Sequence, residues 1–234
     1  SLALYTDGRI LVGSYRSVVR LLSNGTLDAS FSPLTAGQLP EWVFALGLRP
    51  DVSFYAGMGY GFLGQGGANA TVSRFSSGGT FDAGFSPAII GGGVYALAVQ
   101  DDGKVIVGGF FQSVGGIARS MLARINADGS LDSSFGATGG LDTWVYRVVT
   151  LSDGKLIIGG AFNSIGGVPR TRIARLMSNG AVDSGFVGTS IDGVVYDLAL
   201  SADSCRLSWA GEDGTVRVRE LSSGDEQLHG HAGP

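Results

Sequence analysis

The sequence predicts an all-β protein, a five-bladed β-propeller built from four-stranded antiparallel blades. Three observations predict it. A motif running from a basic residue through a turn to Asp and Phe recurs four times, as RLLSNGTLDASF from Arg20, RFSSGGTFDAGF from Arg74, RINADGSLDSSF from Arg124 and RLMSNGAVDSGF from Arg175. A second, apolar motif recurs in step with it: VFALGL from Val43, VYALAV from Val94, VYRVVT from Val145 and VYDLAL from Val195, spaced by 51, 51 and 50 residues. Between them, short apolar runs are punctuated by turn residues, which is the signature of strands, and no stretch reads as a helix of ten or more residues. Five such units average about 47 residues of the 234, and repeats of this size, each of four short strands, bury their faces only against one another, as propeller blades do.

The third repeat shows the elements in order. VYALAVQ is a first strand, DDGK a turn, VIVGGFF a second strand, MLARIN a third strand after a longer loop, ADGS a turn, and LDSSF the fourth strand. Asn24-Gly25, Asp128-Gly129 and Asn179-Gly180 supply the residues that tolerate positive φ in tight hairpins. SLALYT at Ser1 matches the first-strand motif without its first two positions, and a degenerate fifth copy of the basic motif starts at Arg219. The expected domain is single, with blades at about 1–42, 43–93, 94–144, 145–194 and 195–234. An open ring would expose two apolar faces and a strand edge. Both chain ends are therefore expected side by side, closing the ring by blade packing; a piece of a larger ring, or closure between copies, is the rival expectation.

The middle repeats, with DGK, a hydrophobic run, GG-x-F-x-S-[VI]-GG and then R-[LI]-x-x-[ND]-G-x-[LV]-D-x-x-F, resemble the delta-60 repeat family of bacterial β-propellers, best between Val94 and Phe186. The last repeat, GEDGTVRVRELSSGDEQLHGHAGP, is similar to a WD40 repeat in its DGTVRV strand and Gly230-His231 dipeptide, with Arg219-Glu220 where Trp-Asp is usual. Asp213 matches the turn Asp of the WD40 histidine network, but His231 precedes a different repeat, so that network is split. The mixture fits a natural mosaic or an engineered chimera with no evolved function. The compartment is left open, and only the resemblance implies a bacterial surface or secretion.

Composition narrows the function. Glycine contributes 40 of 234 residues without the three-residue period of collagen, and 44% apolar content is too high for a disordered tract. A net charge of −4 gives no basic stripe for nucleic acid. A lone Cys205 excludes a disulfide framework and any multi-Cys metal site. No apolar run approaches the ~18 residues of a membrane-spanning helix, and a start at Ser1 is expected of a mature or excised segment. No cofactor or metal is expected, and a closed ring would be a monomer. Asn126 to Asp132 could be read as a calcium loop. Only this copy carries the extra acid Asp128, however, and no Glu follows at the required spacing, so the carboxylates are expected to bond turn amides.

Phe31, Phe85, Phe135 and Phe186 are expected to wedge between blades, each contributing about 1.5–3 kcal/mol. Arg147 and Asp197 stand where Ser1, Ala45 and Ala96 stand in other first strands, and should form a partly buried ion pair. The loops between second and third strands share a face with those entering first strands. They gather Trp42, Tyr60, Phe62, Arg119, Trp144 and Arg170, residue types enriched at binding hot spots. Phe111 and Phe162 in the same loops are expected to fold back onto their own blades. Asp142 and Asp192, each three residues before a first strand, are the carboxylates a glycan hydrolase would use, although Asp is common in such turns for its backbone bonding. The expected function is a non-catalytic module that binds protein or glycan, with the hydrolase as the alternative.

Overall fold

The structure, a computed structural model, describes residues 1–32, 34, 42–59, 71–85, 87–136, 140–186, 191, 193–221 and 226–230, the last five as backbone alone. Every described element is a strand, and among the described residues no helix is long and apolar enough to cross a membrane. The protein is all-β. It divides into two compact units, Ser1–Asp132 and Ser133–Pro234.

The first unit holds three repeats. Strands β1 (Leu2–Leu4), β2 (Ile10–Ser14) and β3 (Ser17–Leu21) form an antiparallel sheet. The second repeat has β4 (Trp42–Leu48), β5 (Phe54–Gly59) and β6 (Thr71–Phe75). The third has β7 (Ile89–Val99), β8 (Val105–Val114), β9 (Ile117–Ala118) and β10 (Leu122–Ile125). A single Gly59–Gly93 pairing joins the last two into one sheet. The second unit has β11 (Val145–Thr150), β12 (Leu156–Gly160) and β15 (Ile173–Leu176) in one sheet, with β13 (Ser164–Ile165) and β14 (Val168–Pro169) as a separate small hairpin. Its last sheet orders β16 (Val195–Leu200), β17 (Arg206–Gly211), β18 (Thr215–Glu220) and β19 (Glu226–Gly230).

Four paired strands thus occur in the last repeat, whereas in the first four repeats the expected fourth strand shrinks to one bridge: Leu21–Leu27, Phe75–Phe81, Ile125–Leu131 and Leu176–Val182. The cause is local. In three of these repeats the Asp that follows the bridge accepts the amide two residues on, Ser30 at 2.9 Å from Asp28, Gly84 at 2.9 Å from Asp82 and Gly185 at 2.9 Å from Asp183, turning the chain away from the ladder and its Phe into the core. Phe31, Phe85, Phe135 and Phe186 are all buried.

Within each unit the apolar core lies between consecutive repeats. One cluster joins Leu11, Val18 and Phe31 of the first repeat to Val43, Phe54, Ala56 and Met58 of the second. Another joins Tyr55 and Phe85 to Val94, Val105 and Val107, and a third joins Ile157, Ile173 and Phe186 to Val195, Leu207 and Trp209. Successive strand residues face opposite neighbours, so β5, which has a repeat on either side, is buried along its whole length. Close approach needs glycine in the second strands β2, β5 and β12. A methyl group on Gly13, Gly57 or Gly159 would lie 2.6, 2.9 or 2.8 Å from a methyl of Val43, Val94 or Val195 in the following repeat. Cβ atoms on Gly109 and Gly160, opposite Val94 and Val145, and on Gly59, opposite Trp42, would overlap the carbonyl oxygens of Gly93, Trp144 and Gly92.

The five first hairpins share one turn, in which Asp7, Asp51, Asp102, Asp153 and Asp203 each accept the amide two residues later. The residue between them has φ of +85° at Gly8, +81° at Gly103 and +79° at Gly154, but Val52 (+59°) and Ser204 (+56°) occupy the same place. A β-branched residue there is strained by about 1–2 kcal/mol, and Val52 is 36% exposed, so it packs little in return. Val52→Gly is expected to stabilise the protein by about 0.5–1 kcal/mol after the entropy cost of glycine. An unchanged or lower midpoint in urea unfolding would remove the strain argument.

Candidate functional site

Each of the four first strands that carries the full apolar motif is irregular at its second residue. The register shifts between Val43 and Ala45, Val94 and Ala96, Val145 and Arg147, and Val195 and Asp197. Phe44, Tyr95, Tyr146 and Tyr196 are the residues left out of the pairing, and bulges of this kind re-aim side chains beside functional sites. The aromatics meet their neighbours in consecutive repeats. Phe44 packs edge-on to Tyr95 at 4.9 Å, and Tyr146 lies 5.6 Å from Tyr196. Sequence reasoning missed these rings, although the F/Y after the first Val of each motif was the available signal.

In the first unit, Trp42 opens β4 and bridges to Tyr15, whose ring is 5.0 Å away. Tyr15 and Arg16 make the two-residue turn between β2 and β3, with Arg16 at φ +52° and its guanidinium 5.5 Å from the Tyr15 ring. Trp42 is 43% and Tyr15 49% exposed. Trp144, half-buried in the second unit, stands edge-on to Tyr146 at 6.0 Å, and its carbonyl accepts the Ala161 amide at 3.0 Å. Arg147 pairs with Asp197 at 2.6 Å, with side chains 43% and 58% exposed, so the pair lies at the surface where partial burial was expected. Ala45 and Ala96, which follow the same bulge, are buried, so the difference lies in the longer charged side chains, whose heads reach solvent.

The two loop arginines are folded inward. Arg170 donates to the carbonyls of Pro169 at 2.8 Å and Asp183 at 3.5 Å, and its amide donates to Asn163. The Arg119 amide donates to Gln112 at 2.9 Å, and its Nε is buried without a hydrogen-bond partner among the described residues. Phe111 and Phe162 are fully buried. Asp142 accepts the amides of Asn163 at 3.0 Å and Ser164 at 3.3 Å, which makes it a cap for the loop leading to β13. Tyr60, Phe62, Asp192 and His231 lie outside the described residues, as does the side chain of His229.

The recurrent Asp does more than bond turn amides. Asp28, Asp82, Asp132 and Asp183 each pair with the Arg eight residues earlier, at 2.8, 2.8, 2.9 and 2.8 Å. The same guanidinium reaches forward: Arg20 donates to the carbonyl of Ser77, and Arg74 to that of Ala127, both in the next repeat. Arg20, Arg74 and Arg175 also cover the Phe three residues beyond the paired Asp, at 4.9, 4.9 and 5.0 Å. This clamp, with Lys104 adding a contact at 2.9 Å to Asp132, uses oxygens that a calcium ion would need. Among the described residues no group of three or more His, Cys, Asp or Glu side chains is placed to hold a metal. The constant eight-residue spacing was the legible signal. The fifth copy, read at Arg219, is out of register by one. The ladders set Arg20, Arg74, Arg124 and Arg175 opposite Leu11, Tyr55, Ile106 and Ile157, and in the last sheet the corresponding residue is Val218, opposite Ser208. Arg219 instead covers Phe186 of the preceding repeat at 4.7 Å.

With this repeat geometry in view, the comparisons are specific. Three segments match a β-propeller family. Residues 6–31, 100–135 and 151–186 match the family described as "Domain of unknown function (DUF5122) beta-propeller", and each segment carries the first-hairpin Asp, the clamp, or both. These matches support a β-propeller repeat family. Among solved structures, the crystal structure of the computationally designed Ika8 protein (crystal packing No. 1 in P63) is similar over 98% of this chain, with a TM-score of 0.55 and 18% sequence identity. That likeness concerns the fold alone, and this chain spans about three fifths of the designed protein's length, 61%. No curated protein matches the chain.

Proposed function

We propose that the five repeats, delta-60-like in the middle and WD40-like at the end, form a single five-bladed propeller domain that acts as a non-catalytic module binding protein or glycan. The observation that carries this reading is the exposed Trp42–Tyr15 pair, held on a strand and a tight turn and flanked by Arg16. Aromatic and Arg side chains on a rigid scaffold bind with little ordering cost. Trp144, with Tyr146 and Tyr196, offers the second unit's counterpart. The hydrolase alternative is less supported, because Asp142 is committed to two backbone amides. A second architecture, in which these repeats are part of a larger ring, is favoured by the longer solved structure that the chain covers only in part. Sedimentation separates the two, since a closed five-bladed ring runs as a compact monomer. Glycan arrays and pull-downs with wild type, Trp42→Ala and Trp144→Ala test the binding face. A ligand found for the wild type should bind at least about 30-fold more weakly to Trp42→Ala, the factor of a 2 kcal/mol hot spot. Unchanged binding by both variants would discard this face.

A further inference from the structure

The second repeat differs from its neighbours at the residue that ends the first hairpin turn, as well as at Val52, and the shorter side chain there leaves a hollow. In the third and fourth repeats the turn ends in Lys104 and Lys155, whose ammonium groups reach the clamp carboxylates Asp132 and Asp183 at 2.9 and 4.0 Å. In the second repeat Ser53 stands there, too short to cross. The clamp carboxylate is correspondingly uncovered: Asp82 is 39% exposed, against 7%, 8% and 13% for Asp28, Asp132 and Asp183. The space left is an open hollow of about 560 Å³, lined by Arg49, Asp51, Ser53, Arg74, Asp82 and Phe81 among others. That is within the size range of small-molecule sites, ~300–1,000 Å³.

The charge of the lining decides what it would take. Arg49 pairs with Asp51 at 3.0 Å and Arg74 with Asp82 at 2.7 Å, so the two guanidinium groups and two carboxylates cancel. A free anion or cation therefore meets no net attraction. The lining does offer closely spaced donors and acceptors in the Asp51 and Asp82 carboxylates and the guanidinium groups paired with them, while the Ser53 hydroxyl is already bonded to Asp51 and Arg49. Phe81, 48% exposed, presents a ring to the same hollow. Paired donors and acceptors beside an exposed ring suit adjacent hydroxyls on a molecule with an apolar C–H face.

We propose that this hollow in the second repeat is a binding site for a neutral saccharide of one or two rings, in which hydroxyls bond the Asp82 and Asp51 carboxylates and the sugar's C–H face lies on Phe81. The site is separate from Trp42, and its test is independent of the binding face proposed above. Saturation-transfer NMR on the whole chain with maltose, cellobiose and chitobiose, and with methylammonium and inorganic phosphate as charged probes, reads it directly. At least one disaccharide should show saturation transfer with the wild type and with Trp42→Ala. Ser53→Lys, which restores the residue of the third and fourth repeats, and Phe81→Ala, at an exposed ring, should each weaken it at least tenfold. Circular dichroism of both variants establishes that the fold is intact, and since each change is made independently, either folded variant suffices. No transfer to any of the three disaccharides, unchanged binding in a folded variant, or preferential binding of either charged probe overturns the proposal.

Discussion

Gly160→Ala is expected to destabilise the protein by about 3 kcal/mol or more, at the upper end of what overpacking costs. The added Cβ would overlap a backbone atom, the carbonyl oxygen of Trp144, and would also come within 3.1 Å of the Val145 Cα. A flexible side chain can turn aside; here relief requires β11 and β12 to separate, which would break the Val145–Gly160 pairing and the Gly160 amide's bond to the Arg172 carbonyl. Gly78→Ala is the control, because a methyl group there meets only Ser76 Oγ, at 3.9 Å. Thermal unfolding should show a midpoint drop of about 6–12 °C for Gly160→Ala and almost none for Gly78→Ala. Equal midpoints for the two would mean that β11 and β12 do not approach as described.

The second large effect is expected at Arg20. Its side chain is 4% exposed and Asp28's 7%, and the guanidinium bonds Asp28, Ser30 Oγ and the Ser77 carbonyl while covering Phe31. Arg20→Met keeps much of the apolar length but leaves a buried carboxylate without its cation, a loss of about 3–5 kcal/mol. Acid should expose the same pair. The Ser30 hydroxyl and amide, followed by Arg20, hold the Asp28 carboxyl down to about 2. Because the folded state favours the ionised form, the pair's contribution is full above the ordinary carboxylate range, near 4, and is lost as pH falls toward 2. The wild-type thermal midpoint should therefore hold from neutral pH to about 4 and then decline. The Arg20→Met midpoint should be lower at neutral pH, and its gap to the wild type should narrow as acid protonates Asp28, because the variant no longer has the ion pair to lose. A variant matching the wild type at pH 7 would show that the clamp contributes nothing to stability.

Much of the fold was legible because strands and turns are local. The apolar motifs from Val43, Val94, Val145 and Val195 begin or fall within β4, β7, β11 and β16, and the Asp-Gly turns lie where the hairpins reverse. What was not legible depends on geometry across the ladder. The Arg motif read as a marker of period, yet its charge is spent on an Asp eight residues on, and only pairing register shows that Val218, and not Arg219, occupies the clamp position in the last repeat. The shrunken fourth strand had the same origin, since LDASF and VDSGF alternate like strands while their Asp carboxylates pull the chain into a turn. For the candidate site, Trp42 was picked out by residue type. Tyr146 and Tyr196 were hidden because a bulge changes the direction of a residue that ordinary alternation places elsewhere. The hollow beside Ser53 was invisible, since a missing Lys leaves a mark only once its neighbours are in place.

The shared Asp turn of the five first hairpins also bears on how the chain folds. Each is a self-contained nucleus that needs contacts only two to five residues apart, so hairpins can form independently within microseconds, and assembly can start at any of them. Near-identical nuclei carry a hazard, because a strand from one repeat can dock where its cousin belongs, the characteristic misassembly of tandem arrays. Unequal residues such as Arg9, Ser53, Lys104 and Cys205 at the matching place after the turn Asp then help each strand reject the wrong mate during refolding.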